Sequence, residues 1–122
     1  DERAIAGVCA CLEDADRDVR SRAVKALQEI AEKGDERAII GVCTCLEDGD
    51  VDVRKAALEA LGQVAEKGDE RAISGVCALL EDADPDTRRA AVRALVLVAE
   101  KSDEQVAEKS DDRAIVGGLL SP

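Results

Sequence analysis

The feature that most constrains this chain is that it repeats itself. Residues 1–34, 35–68 and 69–102 align without a gap, opening as DERAIAGVCACLEDADRDVR, DERAIIGVCTCLEDGDVDVR and DERAISGVCALLEDADPDTR. A unit this short cannot bury an apolar face alone, so tandem copies must stack and share one continuous core. Identity this close points to recent duplication or to consensus design. Paired free cysteines in the first two units speak against design, which avoids exposed thiols.

Two helices are legible in each unit. Asp1, Asp35 and Asp69 are N-caps, each followed by Glu at the favourable end of the helix dipole. Ile5, Val8, Cys9 and Leu12 then fall on one helical face. A second helix is predicted after Asp16, Asp50 and Asp84, with Pro85 at a first helical position. Val19, Ala23, Ala26, Leu27 and Ile30 form its apolar stripe, and Gly34 and Gly68 are expected to end it as left-handed residues. No segment alternates as a strand does.

The expected fold is therefore an all-α superhelix in a single domain over 1–122. It consists of three helix pairs and an irregular C-terminal half-repeat over 103–122. There VAEKSDE, Gln105 and VAEKSDD resemble an eight-residue duplication, and Asp111–Ile115 restarts a first helix that Gly117 and Gly118 weaken. The sixth helix is expected to run on to about Lys109, with a seventh near Asp112–Leu120.

Composition removes whole classes of function. Phe, Tyr, Trp and Met are absent, so the core is built from Ala, Val, Leu, Ile and Cys. The missing initiator Met suggests a fragment or a processed chain. Without His there is no Ser-His-Asp triad, no Cys-His pair and no Cys2His2 zinc site. Five Cys cannot form a complete intrachain disulfide set, which points to a reducing, cytoplasmic compartment. A formal charge of −11 disfavours nucleic acid and anionic membrane surfaces; it either serves solubility, with charged residues decorating exposed helix faces, or favours a basic protein or peptide as partner. No apolar run reaches the length of a membrane span.

Two motifs invite metal readings. Cys9, Cys43 and Cys77, at the core-facing position of the first helix, are expected to be buried and would form a column spaced by about one helix diameter, ~10 Å, too far for one ion to bridge. Cys11 and Cys45 lie on the other side of the helix, off the core stripe, and are expected to be the more reactive thiols. The D-x-D-x-D turns at Asp14, Asp48 and Asp82 open like calcium loops. However, Val19, Val53 and Thr87 stand where such a loop requires Gly, and Lys25 and Arg93 where it requires Glu. Helix capping explains these aspartates, so neither a metal nor a cofactor is expected.

The runs D-x-D-V-R, A-x-x-A-L and G-D-E-R-A-I resemble the HEAT-like repeats of phycobilisome-lyase-type proteins and of artificial consensus proteins built from them. Tetratricopeptide repeats share the period, but their aromatic positions are empty here, and armadillo units are longer. The resemblance implies that second helices line a concave face. The positions opposite their apolar stripe include Ser21, Lys25 and Gln28, then Lys55, Glu59 and Gly62, then Arg89, Arg93 and Val96. Val96 and Leu97 place apolar side chains where other units are polar, either as a contact patch for a partner or as a surface that the irregular C-terminal segment covers. The resemblance also implies an Arg–Asp ladder, with Arg20, Arg54 and Arg88 as its arginines and Asp18, Asp52 and Asp86 as candidate partners.

The function this supports is a non-enzymatic scaffold binding protein or peptide through Lys25, Gln28, Lys55, Glu59, Arg89, Arg93, Val96 and Leu97. The alternatives are a piece of a long structural array without a site, or a bilin-lyase-like accessory module. HEAT-like hydroxylases hold iron through His, which this chain lacks. Bare apolar faces at the ends, with Ala4, Val8, Cys11 and Val24 at one and Val96, Leu97 and Val106 at the other, are expected to drive weak homo-oligomers or end-to-end stacks.

Overall fold

A computed structural model describes residues 1–99. Six α-helices form three hairpins there: α1 (Glu2–Cys11) with α2 (Arg17–Ile30), α3 (Glu36–Cys45) with α4 (Val51–Val64), and α5 (Glu70–Ala78) with α6 (85–99). A single 3-10 turn at Leu79–Glu81 follows α5, and no strand occurs among the described residues. The expected extension toward Lys109, the seventh helix and Val106 lie outside them.

Local chemistry starts every helix. The carboxylates of Asp1, Asp35 and Asp69 accept the N–H groups of Arg3, Ala38 and Ala72 at 2.8, 3.0 and 3.0 Å. Asp16 and Asp50 do the same for α2 and α4. Asp84 takes both the N–H and the hydroxyl of Thr87, at 2.9 and 3.0 Å. That second bond satisfies the hydroxyl of Thr87, which is fully buried where the other units carry Val.

The second helices do not end as the glycines suggested. The chain leaves α2 at Ala31 and α4 at Ala65, both extended, and reaches Gly34 and Gly68 three residues later at φ +89°. These glycines join units instead. Gly34 N–H donates to the Val64 carbonyl and Gly68 N–H to the Val98 carbonyl, each at 2.6 Å, tying each turn to the end of the next unit's second helix. A side chain at Gly34 would be strained by φ and would meet Glu66.

Stacking decides burial. Helix α2 packs on both α1 and α4, and α3 packs on α1, α4 and α5. The middle unit is covered on both sides, so α4 buries Val53, Ala56, Ala57, Leu58, Ala60, Leu61, Gly62 and Val64. Helix α2 buries only Ala23, Val24 and Leu27, while Val19 and Ala26 are half-buried and Ile30 is exposed. Val24, expected at the bare end, is fully buried because its face of α2 is covered rather than open. Ala4 and Cys11 are exposed there and Val8 is half-buried. Among the described residues no helix is long and apolar enough to cross a membrane.

Candidate binding groove and inter-unit ladder

At the N-terminal ends of the second helices, arginines cross from unit to unit. Arg20 clasps Asp48 through two bonds, Nε to Oδ2 at 2.8 Å and Nη2 to Oδ1 at 3.0 Å. Its Nη1 holds the carbonyls of Asp14 and Ala15 at 2.7 and 3.1 Å. Arg54 repeats the pattern on Asp82, with Nη2 bonded at 3.2 Å. Its Nε lies 3.1 Å from the other oxygen but is not aligned for a hydrogen bond. Arg88 holds the carbonyls of Asp82 and Ala83 at 2.7 and 3.2 Å, and the unit beyond it lies outside the described residues.

The carboxylate that Arg20 and Arg54 reach thus stands four residues before the expected Asp52 and Asp86. Side chains on a helix lean toward its N-terminus, so an arginine in the first turn points at the preceding loop and the neighbouring loop beside it. Asp52 lies 4.0 Å from Lys55; Asp86 pairs with Arg89 and lies 4.0 Å from Lys55; Asp18 has no ion pair among the described residues. A further link joins the first helices, Arg71 to Glu36 at 3.1 Å.

Asp48 is held from several sides. Partial burial pushes its carboxyl up, but the Arg20 bond, the N–H of Asp50 and the charges of Arg20 and Arg54 together hold it below the usual range. Asp14, Asp48 and Asp82 each accept the N–H two residues on, at 2.8, 2.9 and 3.0 Å. The D-x-D-x-D turns are therefore occupied by caps and arginines. No group of three or more His, Cys, Asp or Glu among the described residues is placed to hold a metal ion.

The cysteines depart from expectation. Cys9 and Cys43 are only half-buried and Cys77 is exposed, whereas Cys45, expected off the core, is 3% exposed. Cys11 occupies the position equivalent to Cys45 and is exposed, because none of the described residues covers that face of α1. Burial and the Asp48 charge push the Cys45 thiol up to about 11 against the pull of Arg20. Burial also raises Cys43 and Cys9.

The second helices line a groove of about 1050 Å³. Lys25, Lys55, Glu59, Arg89, Arg93 and Leu97 line it, as does Ser21. Gln28 is half-buried and Val96 is 61% exposed, and neither lines the groove. Gly62, expected on the open face, is buried, and Leu97 Cδ1 lies 2.8 Å from where its Cβ would stand. Leu97 therefore packs across the α4–α6 junction. Sequence reasoning missed Arg17, Arg22 and the floor formed by Ala56, Ala90 and Ala94. The signal was available: one column reads Arg22, Ala56, Ala90, a change of size and charge at equivalent sites.

The chain-wide charge is not carried into this groove, where six Arg and Lys side chains stand among five carboxylates. Asp50 caps α4 and also meets Arg17 at 3.4 Å. The side chains of Lys25, Arg22 and Arg93 make no hydrogen bond or ion pair with any described residue, and all three residues are exposed.

Helical hairpins of one design, each shielding its neighbour and leaving one row of helices facing a groove, define an α-helical repeat solenoid. A family profile for HEAT repeats matches residues 5–96 and again 41–111, and the chain belongs to that family. Among curated proteins none matches it.

Proposed function

We propose that this protein is a non-enzymatic scaffold that binds a protein or peptide segment across its second helices. The groove carries the reading. It is continuous over all three units and floored by small residues that let a partner's backbone approach. It is built on helices fixed at both ends, by the Arg20–Asp48 and Arg54–Asp82 pairs and by the Gly34 and Gly68 backbone bonds. Stacked repeats commonly use such extended faces to bind other proteins. An odd number of cysteines, five, supports a reducing compartment as the place of action. A bilin-lyase-like role rests on resemblance alone, in a chain without an aromatic side chain.

The test is to fill the groove without touching the core. Glu59→Trp and Arg93→Trp replace exposed lining residues. Peptides selected by display on the wild-type protein are expected to lose binding to both variants while helicity and melting stay the same. Selected peptides that bind both variants undiminished would place the binding surface elsewhere.

A second reading adds a copy of the chain itself as a weak partner. Ala4, Gly7 and Cys11 are exposed where Ala38, Gly41 and Cys45 in the next unit pack under a neighbour. This face of α1 is thus shaped to receive a unit, and end-to-end stacking would supply one.

A further inference from the structure

We infer that the groove takes an acidic peptide: an extended segment with two carboxylate side chains six residues apart, laid across α2, α4 and α6. The inference rests on the groove being the binding surface and adds which chemistry it selects. Chain-wide charge points to a basic partner, but the lining is sorted by sign along the helices. Four of its five carboxylates, Asp18, Asp50, Asp52 and Asp86, lie at helix caps or in first turns. Beyond the first turn the charged lining is Arg22, Lys25, Lys55, Arg89 and Arg93 against Glu59 alone.

Spacing sets the register. Lys25 and Arg93 occupy equivalent positions two units apart. Packed helices lie about 8–10 Å from axis to axis, so these cations are separated by roughly 16–20 Å along the stack. An extended chain advances about 3.3 Å per residue, which makes that span five to six residues. Alternation decides between the two, because only an even separation puts both acidic side chains on the groove side. The intervening groove-facing residues then lie over Ala56 and Ala90, which leave room for small apolar side chains, with Glu59 between the two cations.

The experiment uses the whole chain and four fluorescein-labelled nonapeptides of Ala and Ser. One carries Glu at positions 2 and 8, one Lys there, one Gln there, and one Glu at positions 2 and 7. Anisotropy at low salt gives affinity, and backbone amide shifts report whether the groove is the site. The 2,8-Glu peptide is expected to bind about tenfold tighter than the Gln peptide, two exposed ion pairs being worth about that much. It should outbind the 2,7 peptide and weaken with salt. Lys25→Glu with Arg93→Glu should abolish that preference and leave melting unchanged. If the Lys or Gln peptide shifts groove amides as strongly, the acidic selectivity is wrong while the scaffold reading survives. If the Glu peptide binds without shifting groove amides, or no peptide shifts them, the inference fails together with the site on which it rests.

Discussion

Gly7, Gly41 and Gly75 occupy one position in three copies of nearly one sequence, so Gly→Ala at each isolates what stacking adds. Each lies inside a first helix. There alanine is favoured over glycine by about 0.5–1 kcal/mol through backbone entropy alone. A Cβ at Gly7 meets nothing within 4 Å, so Gly7→Ala should keep the whole gain. At Gly41 it would stand 2.8 Å from Leu12 Cδ1 and 3.6 Å from Cys9 Sγ, and at Gly75 2.6 Å from Leu46 Cδ1. Forcing a methyl into such a contact costs about 1–3 kcal/mol, which exceeds the gain. Leu12 is 8% exposed and has somewhere to turn, whereas Leu46 at 3% has less. The expected order of stability is Gly7→Ala above wild type, Gly41→Ala at or below it, and Gly75→Ala lowest. With about 2.1 cal/mol/K of unfolding entropy per residue over 122 residues, each ~1 kcal/mol moves Tm by roughly 4 °C. Thermal and urea melts followed by circular dichroism, under reducing conditions and at low micromolar protein, give the values. A destabilising Gly7→Ala, or equal gains at Gly7 and Gly41, would refute the claim that stacking alone distinguishes these positions.

Three further outcomes are expected. The folded carboxyl of Asp48 is held below its unfolded value, so its contribution is complete above the ordinary carboxylate range, about pH 4, and is lost as pH falls through the lower folded value. Urea midpoints from pH 7 to 2 should therefore fall less steeply at the acid end in Asp48→Asn, and an unchanged slope would remove Asp48 from the linkage. Native thiol labelling at pH 8, read by mass spectrometry of peptides, should modify exposed Cys11 and Cys77 first and Cys45 last; labelling of Cys45 as fast as Cys11 would contradict its burial. Sedimentation velocity over a hundredfold concentration range should show weak association that Cys11→Glu suppresses, and a strictly monomeric wild type would mean the α1 face recruits nothing.

Features set by local chemistry are legible in the sequence. Asp caps at Asp1, Asp35 and Asp69, and at Asp16, Asp50 and Asp84, start helices because a short carboxylate reaches N–H groups two or three residues on. Periodicity reveals the helix pairs for the same reason. What depends on the neighbouring unit is not legible. Cys11 and Cys45 share almost identical sequence surroundings, yet one is exposed and the other is 3% exposed, because burial here is a property of place in the stack. Gly34 carries the signature of a helix stop, but its N–H is committed to Val64, thirty residues away. For Arg20 and Arg54 the carboxylate reached is Asp48 and Asp82 rather than Asp52 and Asp86, a choice that depends on where two loops lie side by side.

The groove is a different case, because repetition conceals it and departures from repetition reveal it. Positions common to all units satisfy the stack: caps, ladder, core. A site that distinguishes one partner from another must draw on positions where the units differ. One column reads Gln28, Gly62, Val96 and the next Glu29, Gln63, Leu97. In sequence Gly62 looks like a weakened helix and Leu97 like a stray apolar residue. In the structure they form one adjustment: Leu97 lies within 2.8 Å of the vacant Cβ position of Gly62 and fills across the junction the space that the glycine gives up. A larger residue at 62 would push Leu97 into the groove, which it also lines. The packing of this junction and the shape of the groove are therefore coupled through one side chain. The effects of Gly62→Ala and Leu97→Ala on stability, read from urea melts, should therefore be non-additive, since in the double variant the added methyl meets no Leu97 methyl; strictly additive effects would refute the coupling.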